Sequence, residues 1–333
     1  MIADAHADSL MWNRDLTCHS ERGQADFPRL RAAGVRIQCF TLVTRGYPFI
    51  GGFPLFAAWR GWPREARRSE WSRAQWQLDR MHAFCDAAKA EAVLADSTRV
   101  LEEGLAEDRL CAVLGVEGAH AIEGDVSRVD ELFKRGVRFM SLTHLSNNEL
   151  GGSSFPLMGN RGLTPLGRDV LDAMAQAGMS VDLAHASPRT VEEILAHKTA
   201  RPMCSHTGVR GAASMWRNLD DGSLRRIADK GGVVGIIFAT VYLGGRELTD
   251  VARHVAHAVS VMGEDGVALG SDFDGMVPLP RGMRDARDLP ALAEVISTKL
   301  PERVAEKVLF GNWRRYFAET LDGARGPERP TSK

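Results

Sequence analysis

Six of the eight strand-like runs in this sequence end on a histidine or a carboxylate, and that regularity limits the fold more than any other feature. The runs are "MIADAH", "VRIQCFTLV", "LCAVLGVE", "VRFMSLTH", "MSVDLAH", "RPMCSH", "GVVGIIFA" and "VALGSDFD". They are nearly continuous in apolar residues, which suits strands buried on both faces of a parallel sheet. Helical patterns separate most of them. In "LTPLGRDVLDAMAQAG", Thr164 predicts the N-cap, Pro165 the first helical position and Gly178 the stop. "ASPRTVEEILAHK" repeats the device with Ser187 and Pro188, and "SLRRIADKGG" ends a helix at Gly231. "SRAQWQLDRMHAFCDAAKAEAV" predicts a helix opened by a Ser72–Gln75 capping box, with Leu78, Met81, Cys85, Ala88 and Ala92 on its buried face.

Strands alternating with helices predict βα units, and eight of them predict an α/β fold of the closed (β/α)8 TIM-barrel kind. Such a barrel needs about 250 residues, and this chain has 333. One excess is a long loop after the second strand, from Gly46 to Arg68, rich in Gly, Pro and aromatics and without a helical period. The other is an extra helical segment near the C-terminus, "PERVAEKVLFGNWRRYFAETL". Residues 1–322 read as one domain and 323–333 as a disordered tail. An open doubly wound sheet is the structural rival, but it would carry a Gly-rich phosphate turn after an early strand, and the sequence has none.

A barrel brings the C-terminal ends of all its strands to one face, where active sites are built. His6 and Asp8 end the first run, Glu117 the third, His144 the fourth, His185 the fifth, His206 the sixth, and Asp272 with Asp274 the eighth. Leaving Asp274 aside, four imidazoles and three carboxylates would converge on one mouth. That set suits divalent transition metals, zinc first. It exceeds what one tetrahedral ion needs, so two metals bridged by a carboxylate fit it better. A single histidine at a strand end is more often a hydrogen-bonded structural residue than a ligand, and a single loop aspartate more often a cap. Six strands out of eight are hard to assign to chance. His82, His197, His254 and His257 fall on helical segments, where solvated or core-edge roles are the default, and His19 falls in a loop. His120, close to Glu117, could at most orient a ligand.

The totals exclude other classes. A formal net charge of -1, with no long run of one sign, gives no electrostatic support for nucleic-acid or membrane-surface binding. No stretch approaches the roughly 18 apolar residues of a membrane span. Asp4, His6 and Asp8 interrupt the apolar start, so it does not read as a signal peptide. Five scattered cysteines read as reduced thiols in a cytoplasmic protein. No sequence feature specifies an oligomer, although a homodimer is common for this architecture.

At this point the chain resembles the membrane (renal) dipeptidases, peptidase family M19 of the amidohydrolase superfamily. The pieces that carry the resemblance are "DAHAD", "VEGAHAIEG", "SLTHLSNN", "GLTPLGRDVLDAMAQAGMSVDLAHAS", "SHTGVRG", "RNLDD", "GSDFDG" and "GNWRRYF", which span nearly the whole chain. The resemblance implies one zinc held by His6 and Asp8 and a second held by His185 and His206. It implies that Glu117 bridges the two, together with a hydroxide or water. It also implies that His144 stabilises the tetrahedral intermediate, Arg217 binds the substrate carboxylate and Asp272 transfers the proton. Tyr242 is the nearest match to a tyrosine that contacts ligands in the family. The implied function is a zinc-dependent dipeptidase for peptides with a free C-terminus, with tolerance of a D-residue there left open. Departures exist: nothing here supports the secretion, disulfide linkage or lipid anchoring of the animal enzymes, and the Gly46–Arg68 segment is longer than the family's usual loop. The alternatives are another binuclear amidohydrolase, such as a lactonase or N-acyl amino acid hydrolase, and, ranked lower, a non-catalytic metal-binding barrel. Lactonases and phosphotriesterases on this fold commonly begin with H-x-H and bridge their metals with a carboxylated lysine, whereas this chain has H-x-D and Glu117.

Overall fold

A computed structural model of the chain describes residues 1–46 and 52–323. Its nine strands are β1 (Ile2–Ala7), β2 (Val35–Val43), β3 (Ala92–Leu94), β4 (Leu110–Glu117), β5 (Val137–Ser141), β6 (Ser180–Asp182), β7 (Pro202–Thr207), β8 (Val234–Ile236) and β9 (Val267–Leu269). All pairings between them are parallel. The order runs β2-β1-β9-β8-β7-β6-β5-β4, and pairing of β2 with β4 closes the ring. The eight predicted runs therefore form the expected (β/α)8 barrel. The ninth strand, β3, pairs only with the first residues of β4, beside the place where β5 takes over. Three residues are too few to show a period, so the sequence carried no strand signal there.

The helices start where their caps direct. Thr164, Ser187 and Asp220 each accept a backbone N–H at the start of the helices Pro165–Ala177, Pro188–Ala196 and Asp221–Asp229. Gly178 closes the first of these with φ of 77°, a conformation that Gly adopts at little cost. One cap was misplaced. The helix Glu70–Ala87 is capped by Ser69, which accepts from Ser72 N at 3.1 Å, so it begins earlier than the Ser72–Gln75 pattern suggested. Leu78, Met81 and Cys85 are buried on it as expected, but Ala92 belongs to β3.

The two insertions have distinct places. The Gly46–Arg68 segment is not without helix: Gly52–Trp59 forms two turns, while residues 47–51 lie outside the described residues. The C-terminal segment forms helices Glu302–Glu306 and Asn312–Thr320, joined by a wider turn at Lys307–Gly311. It plugs the barrel floor. Trp313, Tyr316, Phe317 and Leu321 pack into one cluster with Ala3, Ala5, Ile37, Cys39, Val113, Phe139 and Met203. The Trp313 indole donates to the carbonyl of Leu269 (2.8 Å), and the Tyr316 hydroxyl donates to Ser180 Oγ (2.9 Å). The tail from residue 324 lies outside the described residues. Among the described residues, no helix is long and apolar enough to cross a membrane.

Candidate metal centre and substrate cavity

A bulge in β1 aims the first two site residues. Its register against β2 slips by one residue between Asp4 (opposite Gln38) and Ala7 (opposite Phe40). Ala3 and Ala5 pack in the interior cluster below. A strict alternation would then turn His6 and Asp8 outward, and the extra residue brings them back to the interior. The H-x-D spacing alone could not show this.

The other groups arrive from the same rim. Glu117 is the last residue of β4 and His206 lies near the end of β7. His144, His185 and Asp272 each follow their strands by three residues. His185 and Asp272 both have φ of 64°, the left-handed region, which is uncommon for residues with a Cβ and which clusters at functional sites. All seven groups meet. Glu117 Oε1 lies 2.9 Å from His185 Nε2, 3.5 Å from His206 Nε2 and 3.6 Å from His6 Nε2. Its Oε2 lies 3.4 Å from His144 Nε2 yet is buried without a hydrogen bond. Asp8 Oδ1 is 3.3 Å from His6 Nε2, and Asp272 groups with His6 and His206. Three overlapping sets of potential ligand atoms result: His6, Asp8 and Glu117; Glu117, His144 and His185; His6, His206 and Asp272.

The donors suit a cation. Burial holds the rings of His185 and His206 well below the usual imidazole range, with Arg217 adding to it at His185, and His6 and then Arg217 adding to it at His206; their Nε2 atoms face each other at 3.1 Å. Burial works against charge on His6 too, but the carboxylates of Asp8 and Glu117 outweigh it and push its pKa up to about 10, so the ring holds a proton that a metal on Nε2 would displace. Burial pushes Asp272 well above the ordinary carboxylate range, and Asp8 and Glu117 add to the effect against the pull of His6. Space is reserved as well. A Cβ on Gly275 would stand 2.0 Å from Asp272 Oδ1 and 3.0 Å from Asp8 Oδ2. The donor types, the unpartnered Glu117 oxygen and this clearance fit divalent metal binding.

Supporting contacts were invisible in the sequence. Ser205 Oγ donates to Asp182 Oδ2 (2.6 Å) and lies 3.1 Å from His6 Nδ1 and 2.9 Å from His206 Nδ1. A hydroxyl whose one proton is committed can only accept, so both rings carry hydrogen on Nδ1 and present Nε2 inward. Thr41 Oγ1 donates to Asp8 Oδ1 (2.5 Å). His144 Nδ1 donates to the Arg45 carbonyl (2.9 Å). Asp274, by contrast, is held by Ser9, Arg14 and the backbone amides of Gln24 and Ala25, tying the loops after β1 and β9 together. His120 is buried, its Nε2 has no hydrogen-bond partner, and burial holds its pKa well below the usual range. Its ring makes no hydrogen bond to Glu117 among those observed.

A cavity of about 450 Å³ opens above these groups. Arg217 and Tyr242 line it. Arg217 Nη1 donates to the His206 carbonyl (2.9 Å), Nη2 lies 3.1 Å from His185 Nε2, and Nε is buried without a partner. The Tyr242 ring centre is 5.2 Å from the guanidinium carbon.

The sequence profile of the membrane dipeptidases, peptidase family M19, matches residues 1–327. The chain belongs to that family. The M19 chain is thus a dipeptidase, a metal-dependent hydrolase of peptides. Among its relatives, dipeptidase aclJ of Aspergillus oryzae is 30% identical over 312 residues, which are 88% of this chain and 71% of the relative. A protein encoded 5′ of pqqA in Klebsiella pneumoniae is 32% identical over 224 residues, 63% of this chain and 82% of the relative. In fold, the chain is similar to a metallopeptidase of Rhodobacter sphaeroides crystallised with a phosphinate mimic of L-Ala-D-Ala. The TM-score is 0.81 at 22% identity, over 96% of this chain and 99% of that one. A second structure, of the M19 dipeptidase AC, gives a TM-score of 0.79 at 22% identity, over 97% and 99%.

Proposed function

We propose that this M19 dipeptidase binds two zinc ions and cleaves the amide bond of dipeptides with a free C-terminus. The observation that carries the reading is Glu117: one oxygen faces three histidines from three strands, and the other is buried without a hydrogen bond. His6 and Asp8 would hold one ion, His185 and His206 the other, with Glu117 between. When bound, such a pair supplies an activated water and polarises a carbonyl.

The chain's own residues do the rest. Arg217 is anchored through Nη1 and its Nε is unpartnered, while Nη2 lies against His185 Nε2; a metal on that nitrogen would release Nη2 and leave the Nε–Nη2 edge as a fork for the substrate carboxylate. The Arg45 carbonyl can only accept, so His144 Nδ1 carries a proton. His144 Nε2, 3.4 Å from Glu117 Oε2, is the atom that would donate to the developing oxyanion. Asp272 takes a proton from the attacking water and returns it to the leaving nitrogen. The C–N bond breaks, water supplies OH to the acyl carbon and H to the amine, and two amino acids leave. Tyr242 closes the wall beside Arg217. A D-residue at the C-terminal position is an open extension of this reading. The phosphinate mimic of L-Ala-D-Ala in the Rhodobacter sphaeroides structure supports testing it. Five unpaired cysteines support a cytoplasmic location.

The test is hydrolysis of a dipeptide set by zinc-loaded protein, with Asp272→Asn beside it. The variant should keep both ions and lose at least about 100-fold in kcat. Near-normal turnover would remove Asp272 from proton transfer, and two bound zincs without hydrolysis of any dipeptide would favour another amidohydrolase reaction.

A further inference from the structure

The helix Gly52–Trp59 has two faces at helical spacing. Phe53 and Ala57 are buried in a cluster with Met11, Val43, Trp62 and Ala66. Leu55, Phe56 and Trp59 line the cavity above the metal centre, and Phe53 reaches it too. Trp59 is 71% exposed and Leu55 58% exposed. Among the described residues six large apolar side chains are exposed, and three of them, Leu55, Trp59 and Met276, line this one cavity. Trp59 is nevertheless held: the Arg60 guanidinium sits 3.8 Å from the rings of both Trp59 and Trp12. Trp12 in turn donates to the Asp274 carbonyl (2.8 Å).

The ring order gives this wall a direction. From β2, four steps around the barrel reach β7, so the segment after β2 lies across the mouth from the segment after β7 that carries Arg217. A dipeptide whose carboxylate sits on Arg217, with its amide over Glu117, points its N-terminal residue at the β2 side. No charged side chain from the β2 segment lines the cavity there, among the described residues.

We propose that the helix Gly52–Trp59 is a specificity wall that selects dipeptides with a large apolar N-terminal side chain. The inference rests on the dipeptidase reading above. Burying such a side chain against Phe56 and Trp59 removes apolar surface from water on both partners, and contacts of this kind discriminate by about 10- to 200-fold.

The experiment is kcat/KM of the zinc-loaded full chain for X-Gly and X-D-Ala, with X as Gly, Ala, Leu, Phe, Asp and Lys. Leu and Phe should exceed Ala by at least about tenfold, and Asp and Lys should fall below it. Trp59→Ala and Phe56→Ala should each lower the Phe-to-Ala ratio by about five- to tenfold. A ratio measured on one preparation is unaffected by the fraction folded. As a second readout, Phe-Gly should bind the Asp272→Asn protein more tightly than Ala-Gly in calorimetry. A flat profile across X, with dipeptides hydrolysed, overturns the wall and leaves the dipeptidase standing. Failure to hydrolyse any X overturns the dipeptidase reading and the wall with it. If Trp59→Ala dissociates a dimer in sedimentation and leaves the ratio unchanged, the patch is a subunit contact and the proposal falls.

Discussion

Ser205 shows how much of the site depends on one atom. Its hydroxyl fixes the ring tautomer of two histidines that the proposal assigns to different ions. Ser205→Ala should therefore weaken zinc binding about 10- to 100-fold at both positions, read by competition with a chromophoric chelator. A conservative Ser205→Thr should recover part of the loss. His254 carries a different prediction. Its Nδ1 accepts from Val209 N (3.0 Å) and its Nε2 donates to the Leu243 carbonyl (3.1 Å), so the buried ring is neutral and joins the segments after β7 and β8. Burial lowers its pKa to about 4. The unfolded chain, titrating near 6.5, binds more protons between these values, so stability is present above about pH 6.5 and is lost as pH falls towards 4. Linkage puts that loss at about 2 kcal/mol between pH 7 and 5. Urea midpoints should show it in the parent and show a flatter profile in His254→Leu. Residue types at strand ends were legible because metal chemistry needs His, Asp and Glu. Ser205, Thr41 and the Arg45 carbonyl were not, since their partners are set by strand pairing, and a serine has no positional signature. His254 likewise reads in sequence as one more helical histidine.

Elements were legible where a period or a cap spans enough residues. The eight barrel strands and the helices capped by Thr164 and Ser187 follow from local signals. β3, with three residues, falls below that length. The helix Gly52–Trp59 was missed because Gly, Pro and aromatics obscure its pattern, and tertiary packing of Phe53 and Ala57 holds it instead. The bulge in β1 leaves no sequence mark at all. The C-terminal helix offers the clearest test at this scale. Trp313 is fully buried in the barrel floor, stacked on Phe317 at 5.5 Å. Trp313→Ala should cost about 3–5 kcal/mol, measured by chemical denaturation, through lost burial and an unfilled cavity. Activity per folded molecule should change little, because the plug lies at the end of the barrel opposite the metal site.

For the whole molecule, the site and the scaffold are coupled. The seven groups come from six of the eight barrel strands or the residues just after them, so bound metal would tie most of the upper rim together. Chelation should lower the melting temperature by several degrees, and added zinc should restore it, as binding to the folded state alone requires. Scanning calorimetry with and without zinc measures this. A melting temperature indifferent to zinc would separate the site from the scaffold's stability. The way the ring closes has a further consequence, for folding in time. β1 is made before the other strands, yet one of its edges is covered by β9, at 267–269, and the cluster under its interior face is completed by the helix Asn312–Thr320. During synthesis the first strand is therefore an open edge that must wait for more than two hundred residues. Contacts this distant in sequence make folding slow and leave sticky intermediates. His6 and Asp8, the first site residues to be synthesised, are among the last to be set in place.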